Sequence, residues 1–178
     1  MQPGRGIRVL LSEGSSTSAR EAVTALSLAG YTIEVCDPDP FCLTRFSRLV
    51  SRFHRCPGLG TDPYGYLDFI VALLRRRRFD VLLPIHEQGY LFARENLRLE
   101  PHVAIALPSF ASYRVAHRKA SFSRLLSELA LPQPETRVVA GVGELRAIDR
   151  FPLVVKTSIG TASRGVWMVR NPQDLRAA

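Results

Sequence analysis

Cysteine is scarce in this sequence, which has only Cys36, Cys42 and Cys56. An odd number, with no C-x-x-C pair and no zinc-ligand spacing to the histidines, argues against a disulfide framework or a cysteine–histidine metal site; the thiols read as free, buried or half-buried groups suited to a reducing compartment. Long apolar runs are missing too. None approaches the roughly 18–20 residues that a bilayer-spanning helix requires. The stretch "IRVLLSEG" is too short for a secretory signal and lacks a cleavage-type tail. These absences predict a soluble, cytoplasmic protein with no membrane partner. Two familiar nucleotide fingerprints are also lacking. No G-x-x-x-x-G-K-[ST] occurs, "GRGIR" precedes its strand instead of following it, and "GVGEL" has no third glycine, which argues against a dinucleotide or nucleotide-sugar enzyme. There is no internal repeat and no low-complexity tract.

What is present is an ordinary globular balance, with 46% hydrophobic and 22% charged residues in 178, enough for one domain and a little more. Lys and Arg outnumber Asp and Glu by 24 to 16, a net charge of +8. The densest basic run, Arg75–Arg78, ends an apolar-periodic helix carrying Tyr66, Leu67, Phe69, Ile70, Leu73 and Leu74. Cations there complement the negative end of the helix dipole. No aromatics interleave these arginines as a stacking platform requires, so a solvated helix end is preferred and nucleic acid is not the expected partner.

The elements alternate from the start. Residues 7–14 form a strand candidate, and 18–30 a helix with a Ser18-x-x-Glu21 capping box, an apolar face of Ala22, Val23, Leu26 and Ala29, and a terminating Gly30. "YTIEVCDPDP" gives a second strand; residues 41–63 read as polar, basic and Gly/Pro-punctuated, with a short helix around Thr44 to Val50. A helix over 64–77, a third strand in "FDVLLPIHEQG", a short helix in "YLFARENLRL" and a fourth strand in "HVAIALPS" follow. Short, nearly continuous apolar strands separated by helices predict an α/β domain with a Rossmann-like parallel sheet. In such sheets the cleft lies beyond the strand carboxyl ends, which places Ser12 to Ser16, Asp37 to Asp39 and His86 to Gly89 along one rim. Each has a plainer role as a helix cap or turn residue.

From Ser109 the texture changes. A helix with a Phe122, Leu125, Leu126, Leu129 face is broken by Pro132 and Pro134, then come a strand "TRVVA", a small helix over 143–150, a hairpin and the start of another helix in "NPQDLRAA". The hairpin, "FPLVVKTSIGTASRGVWMV", ends an apolar strand on Lys156, where a lysine needs an anionic partner or an exit to water. Thr157, Ser158, Thr161 and Ser163 supply hydroxyls, and Gly160 and Gly165 allow backbone N–H groups to approach a ligand closely. A simple turn accounts for the glycines equally well; the chemical alternative is a clamp for the phosphates of a nucleotide.

The hairpin resembles the signature of ATP-grasp ligases, a strand F-P-x-x-x-K followed by P-x-x-G-x-x-S-x-G-V. Phe151, Pro152, Lys156, Gly160, Ser163, Gly165 and Val166 match, with Thr157 in place of the usual proline. Upstream, "HRKASFSRLLSELALPQPET" is similar to the family segment D-K-x(n)-L-x-x-x-G-[IV]-P-x-P-x-T at Lys119, Leu126, Pro132, Pro134 and Thr136; Arg118 replaces the common aspartate and Ala130 the common glycine. The resemblance implies a pre-ATP-grasp domain over 1–110 and the first, incomplete α+β part of the ATP-grasp module over 111–178. It implies ATP contacts from Lys119, Lys156, Thr157, Ser158, Gly160, Thr161, Ser163 and Gly165, the loop folding over the β- and γ-phosphates.

The implied chemistry is activation of a small carboxylate as an acylphosphate for attack by an amine or other nucleophile, with ATP and Mg²⁺. No catalytic or metal-binding residue is assigned within the chain. The family's magnesium ligands and catalytic arginine belong to a later half of the module, so Glu87, Glu95 and Glu100 are not assigned to metal. The 178 residues are accordingly expected to be an N-terminal fragment that is inactive alone and partners the remainder of the module, with a homodimer left open. The competing expectation is a non-catalytic α/β module that binds a nucleotide or a protein.

Overall fold

The computed structural model describes residues 6–160 and 165–177, and the chain divides into two compact units, Met1–Phe110 and Ala111–Ala178. The first unit is built on a four-stranded parallel sheet in the order β3-β2-β1-β4, with β1 Arg8–Leu11, β2 Thr32–Asp37, β3 Val50–Arg55 and β4 Val81–Leu83. Helices α1 Thr17–Leu28, α2 Pro63–Arg76 and α3 Gln88–Arg94 connect and cover it. Strand side chains alternate between two cores. Val9, Leu11, Ile33 and Val35 pack with Ala19 and Val23 of α1, while Leu10, Cys36 and Leu82 pack beneath Tyr66, Leu67, Ile70 and Leu74 of α2. Each large side chain so buried contributes about 1.5–3 kcal/mol relative to exposure. Both faces are covered, which is why the strands read as apolar runs.

Local signals differ from the sequence expectation in several places. Helix α1 is capped by Ser16, whose Oγ accepts from Ala19 N at 3.0 Å, not by Ser18. It closes at Gly30 (φ 87), where Gly30 N donates to Ser27 O at 2.9 Å and Tyr31 N to Leu26 O at 3.1 Å, the paired bonds of a left-handed helix stop. Asp62 caps α2 by accepting from Gly65 N at 2.8 Å, with Pro63 in the first turn. Residues 38–49 hold no helix. They run as successive turns, Cys42 N to Asp39 O, Arg45 N to Cys42 O and Ser47 N to Thr44 O at 3.0–3.2 Å, and then enter β3. The expected fourth strand in "HVAIALPS" is reduced to one parallel bridge, Val81 to Ala104.

In the second unit the helix expected after Ser109 is two, α4 Phe110–His117 and α5 Lys119–Glu128, separated at Arg118, whose backbone is extended (φ −89, ψ 119). Helix α5 ends on the same bonding pattern as α1, with Leu131 N donating to Leu126 O at 2.9 Å and Ala130 N to Ser127 O at 3.1 Å. Here the left-handed residue is Ala130, at φ 51. "TRVVA" forms no strand. A short α6, Val142–Arg146, leads to the antiparallel hairpin of β5 Leu153–Lys156 and β6 Val166–Val169, followed by α7 Pro172–Ala177. Asn171 caps α7, its Oδ1 accepting from Gln173 N at 2.8 Å and Asp174 N at 3.0 Å.

Candidate functional site

The hairpin pairs Leu153 with Val169, Val154 with Met168, Val155 with Trp167 and Lys156 with Val166. Successive residues of a strand face opposite sides, so Leu153, Val155 and the buried Val169 share one face. Val154, Lys156 and Met168 share the other, which is exposed. Lys156 therefore leaves an apolar strand on its open side. Thr157 closes the hairpin base: its N–H donates to Gly165 O at 2.9 Å and its Oγ1 to Ile159 O at 2.7 Å. Gly165 takes a left-handed φ of 69, and a Cβ there would stand 2.3 Å from Thr157 Oγ1. Glycine is required on both counts.

Lys119, 37 residues before Lys156 in the chain, meets this loop in space. Its backbone N–H donates to Ser158 O at 2.9 Å and its ammonium to Gly160 O at 2.7 Å. The extended backbone at Arg118 starts α5 at Lys119, so the first turn of the helix lies against the loop. Lys119, Thr157, Ser158, Gly160 and Gly165 are thus brought together, with Lys156 at the end of the adjoining strand; Thr161 and Ser163 lie outside the described residues. Among the described residues the Lys119 ammonium bonds to a neutral carbonyl and pairs with no carboxylate, so the arrangement can attract an anion.

The rim of the first unit is a hydrogen-bonded cluster at the carboxyl ends of β1, β2 and β4. Asp37, buried at the end of β2, accepts through Oδ2 from Gly14 N at 2.7 Å and Ser15 Oγ at 2.9 Å, and through Oδ1 from Asp39 N at 2.8 Å. Glu13 accepts from Ser16 Oγ and from Ser15 N at 3.2 Å, and lies 3.3 Å from His86 Nδ1. Ser12 bonds to Ile85 N through Oγ at 3.0 Å and accepts from Tyr66 Oη at its carbonyl at 2.7 Å. The rim residues expected from the sequence do converge, and they mainly hold one another. Sequence reasoning missed Thr44 and Tyr66 here. The signal for Thr44 lies at Gly14, where an added Cβ would come within 2.3 Å of Thr44 Oγ1.

Cys36 and Cys42 are poor nucleophiles. Hydrogen bonding with Cys56, and then burial, pushes the Cys36 thiol well above its usual range; burial likewise raises Cys42 and, strongly, the Tyr66 phenol. Thiolate chemistry needs the opposite shift. Among the described residues no group of three or more His, Cys, Asp or Glu is arranged to hold a metal. The described residues therefore form no carboxylate cluster for Mg²⁺.

No protein-family model matches the chain. Solved structures do. The biotin carboxylase domain of the Hydrogenobacter thermophilus 2-oxoglutarate carboxylase, in complex with MgADP, ADP and bicarbonate, superposes with a TM-score of 0.70 at 19% identity, covering 96% of this chain and 39% of its own. The L-amino acid ligase from Bacillus licheniformis gives 0.74 at 17% identity, with 98% and 40% covered. N5-carboxyaminoimidazole synthetase from Staphylococcus aureus, complexed with ADP, gives 0.67 at 16%, with 99% and 44% covered. The chain thus spans about two fifths of the length of the structures it matches, and its fold is that of the N-terminal part of the ATP-grasp ligases.

Proposed function

We propose that the chain supplies the pre-ATP-grasp domain, residues 1–110, and the first nucleotide-binding part, residues 111–178, of an ATP-dependent ligase that activates a carboxylate as an acylphosphate for an amine or other nucleophile. The observation that carries this reading is the two-point contact of Lys119 with the loop after Lys156, 2.9 Å to Ser158 O and 2.7 Å to Gly160 O. Two sequence segments that resemble one family's ATP-contacting motifs meet, and at their junction sits an ammonium that pairs with no carboxylate among the described residues. Phosphoryl transfer depends on positioning and charge neutralisation more than on covalent help from the protein. In this reading Lys119 and Lys156 neutralise phosphate charge, while Thr157 and Gly165 hold the hairpin base that carries the loop. ATP supplies the phosphoryl group.

ATP titrated into the 178-residue chain, followed by amide chemical shifts, is expected to perturb residues 119, 156–160 and 165 with a Kd in about the millimolar range or tighter. Lys119→Ala and Lys156→Ala each weaken this by about tenfold, the effect of losing one charge-assisted contact. A response confined to the first unit, or unchanged in both variants, would refute the assignment and favour a module whose hairpin only packs. The chain alone is expected to give no carboxylate-dependent ADP release, since acylphosphate formation also needs a carboxylate-held divalent metal; robust turnover in a coupled assay would contradict this.

A further inference from the structure

The turn run before β3 faces its side chains the wrong way for a core. Cys42 (2% exposed) and Thr44 (0%) point inward against Gly14, while Phe41 (76%), Leu43 (45%), Phe46 (68%) and Leu49 (42%) point outward. The orientation is held by hydrogen bonds: Phe41 N donates to Asp39 Oδ1 at 2.8 Å, and Arg45 Nη1 donates to the Pro40 carbonyl. The Arg45 guanidinium also lies over Phe46 at 5.7 Å and Phe53 at 5.0 Å, joining the turns to β3 as one surface. Scattered exposed apolar residues need no explanation, but a contiguous group does. Arg45, Arg48, Arg52 and Arg55 interleave it, all exposed and none in an ion pair among the described residues, and Asp39 is the only acid between residues 38 and 56.

We propose that this 41–55 surface docks on an anionic lipid bilayer, with Phe41 and Phe46 entering the interface and Arg48, Arg52 and Arg55 meeting headgroup phosphates. The charge complements an anionic partner and disfavours a second copy of the same surface. Single-stranded nucleic acid would use the phenyl faces but leave Leu43 and Leu49 without a role. Side chains 76% and 68% exposed project outward instead of lining a cleft, the geometry of insertion into a soft interface. No described helix is long and apolar enough to cross a membrane. This inference is independent of the nucleotide site.

Flotation of the 178-residue chain with vesicles of phosphatidylcholine, with and without about 30% phosphatidylserine, tests it, because basic residues gain from the anionic leaflet alone. The chain is expected to float with the anionic vesicles only, and less as salt rises from about 0.1 M. Phe41→Ser with Phe46→Ser, and separately Arg48→Ala with Arg52→Ala, lower the bound fraction by about tenfold or more. Arg78→Ala, in the other basic run, leaves it within about twofold, since a single remote charge contributes little. Phe41→Trp shifts its emission to the blue on adding anionic vesicles, a readout that does not depend on the double variants folding. The proposal fails if the phenylalanine pair is dispensable, if Arg78→Ala costs as much as the pair in β3 and its turn, or if the tryptophan emission is unmoved. Phe-dependent retention on a single-stranded oligonucleotide without flotation would also overturn it.

Discussion

Arg77, at the end of α2, holds Glu34 of β2 across 43 residues of chain, Nη2 to Oε1 at 2.8 Å. Arg8 reaches the same oxygen at 2.5 Å and His54 Nε2 reaches Oε2 at 2.6 Å, while the Glu34 side chain is 2% exposed. Burial by itself would raise the carboxyl pKa, but hydrogen bonds from His54, Arg77 and Arg8 outweigh it and hold Glu34 below its usual value. A carboxyl depressed in the folded state stabilises the fold fully above the ordinary value of 4.5, and that stabilisation is lost as pH falls through the lower folded value. Glu34→Gln should cost about 3 kcal/mol at neutral pH by leaving the part-buried guanidiniums of Arg8 and Arg77 without their anion. In thermal melts as a function of pH, its deficit relative to wild type should narrow below pH 4.5. A deficit independent of pH would show that packing, not charge, makes the contribution.

Ala130→Gly should stabilise the chain. At φ 51 the alanine Cβ crowds its own backbone, a strain of about 1 kcal/mol that glycine lacks. The hydrogen bonds that impose this φ run from Leu131 N to Leu126 O and from Ala130 N to Ser127 O, and both are main-chain, so the substitution keeps them. Denaturant unfolding of the two chains measures the gain directly, and an unchanged midpoint would mean the strain is relaxed elsewhere.

Much of this was legible in the sequence, and the failures share a physical cause. Helix α2 was read to within a residue or so because Tyr66, Leu67, Ile70, Leu73 and Leu74 recur at helical spacing and are buried together. Strand β3, "VSRFHR", was invisible because an edge strand has one paired side and no fully buried residue, so no apolar run or clean alternation forms. "HVAIALPS" had the composition of a strand but bonds to the sheet only at Ala104. The arginine run was read as uniformly solvated, yet Arg77 is drawn onto Glu34; long-range pairing leaves no trace in local periodicity. At the candidate site the residues could be named from the sequence, but that Lys119 bonds to the loop at Ser158 and Gly160 is a tertiary fact.

Gly14→Ala should be poorly tolerated. The new methyl would stand 2.3 Å from Thr44 Oγ1, 2.8 Å from Val35 Cγ1 and 3.0 Å from Cys42 Sγ, all in buried surroundings. Overpacking of this kind costs about 1–3 kcal/mol. Combining it with Thr44→Ala removes the nearest atom and should recover part of the loss in an equilibrium unfolding series; no recovery would place the conflict at Val35.

Ser16→Ala and Ser18→Ala separate the two possible caps of α1. Ser16 Oγ accepts from Ala19 N at 3.0 Å and donates to Glu13, so its loss should cost about 1 kcal/mol. Ser18 is exposed within the helix, and its replacement should leave the melting temperature nearly unchanged. Equal losses would restore the capping box predicted from the sequence.

The ammonium of Lys119 carries three donor hydrogens, of which Gly160 O takes one at 2.7 Å. In the proposed reading a phosphate oxygen would be received on a second hydrogen without giving up the first, so that one cation would hold both the loop and the arriving anion. The rotamer freedom of a long side chain, worth about 1.5–2 kcal/mol, has already been surrendered to the loop before any ligand binds. If Lys119 binds phosphate as proposed, part of the entropic cost of recognition is thereby converted into a cost of folding.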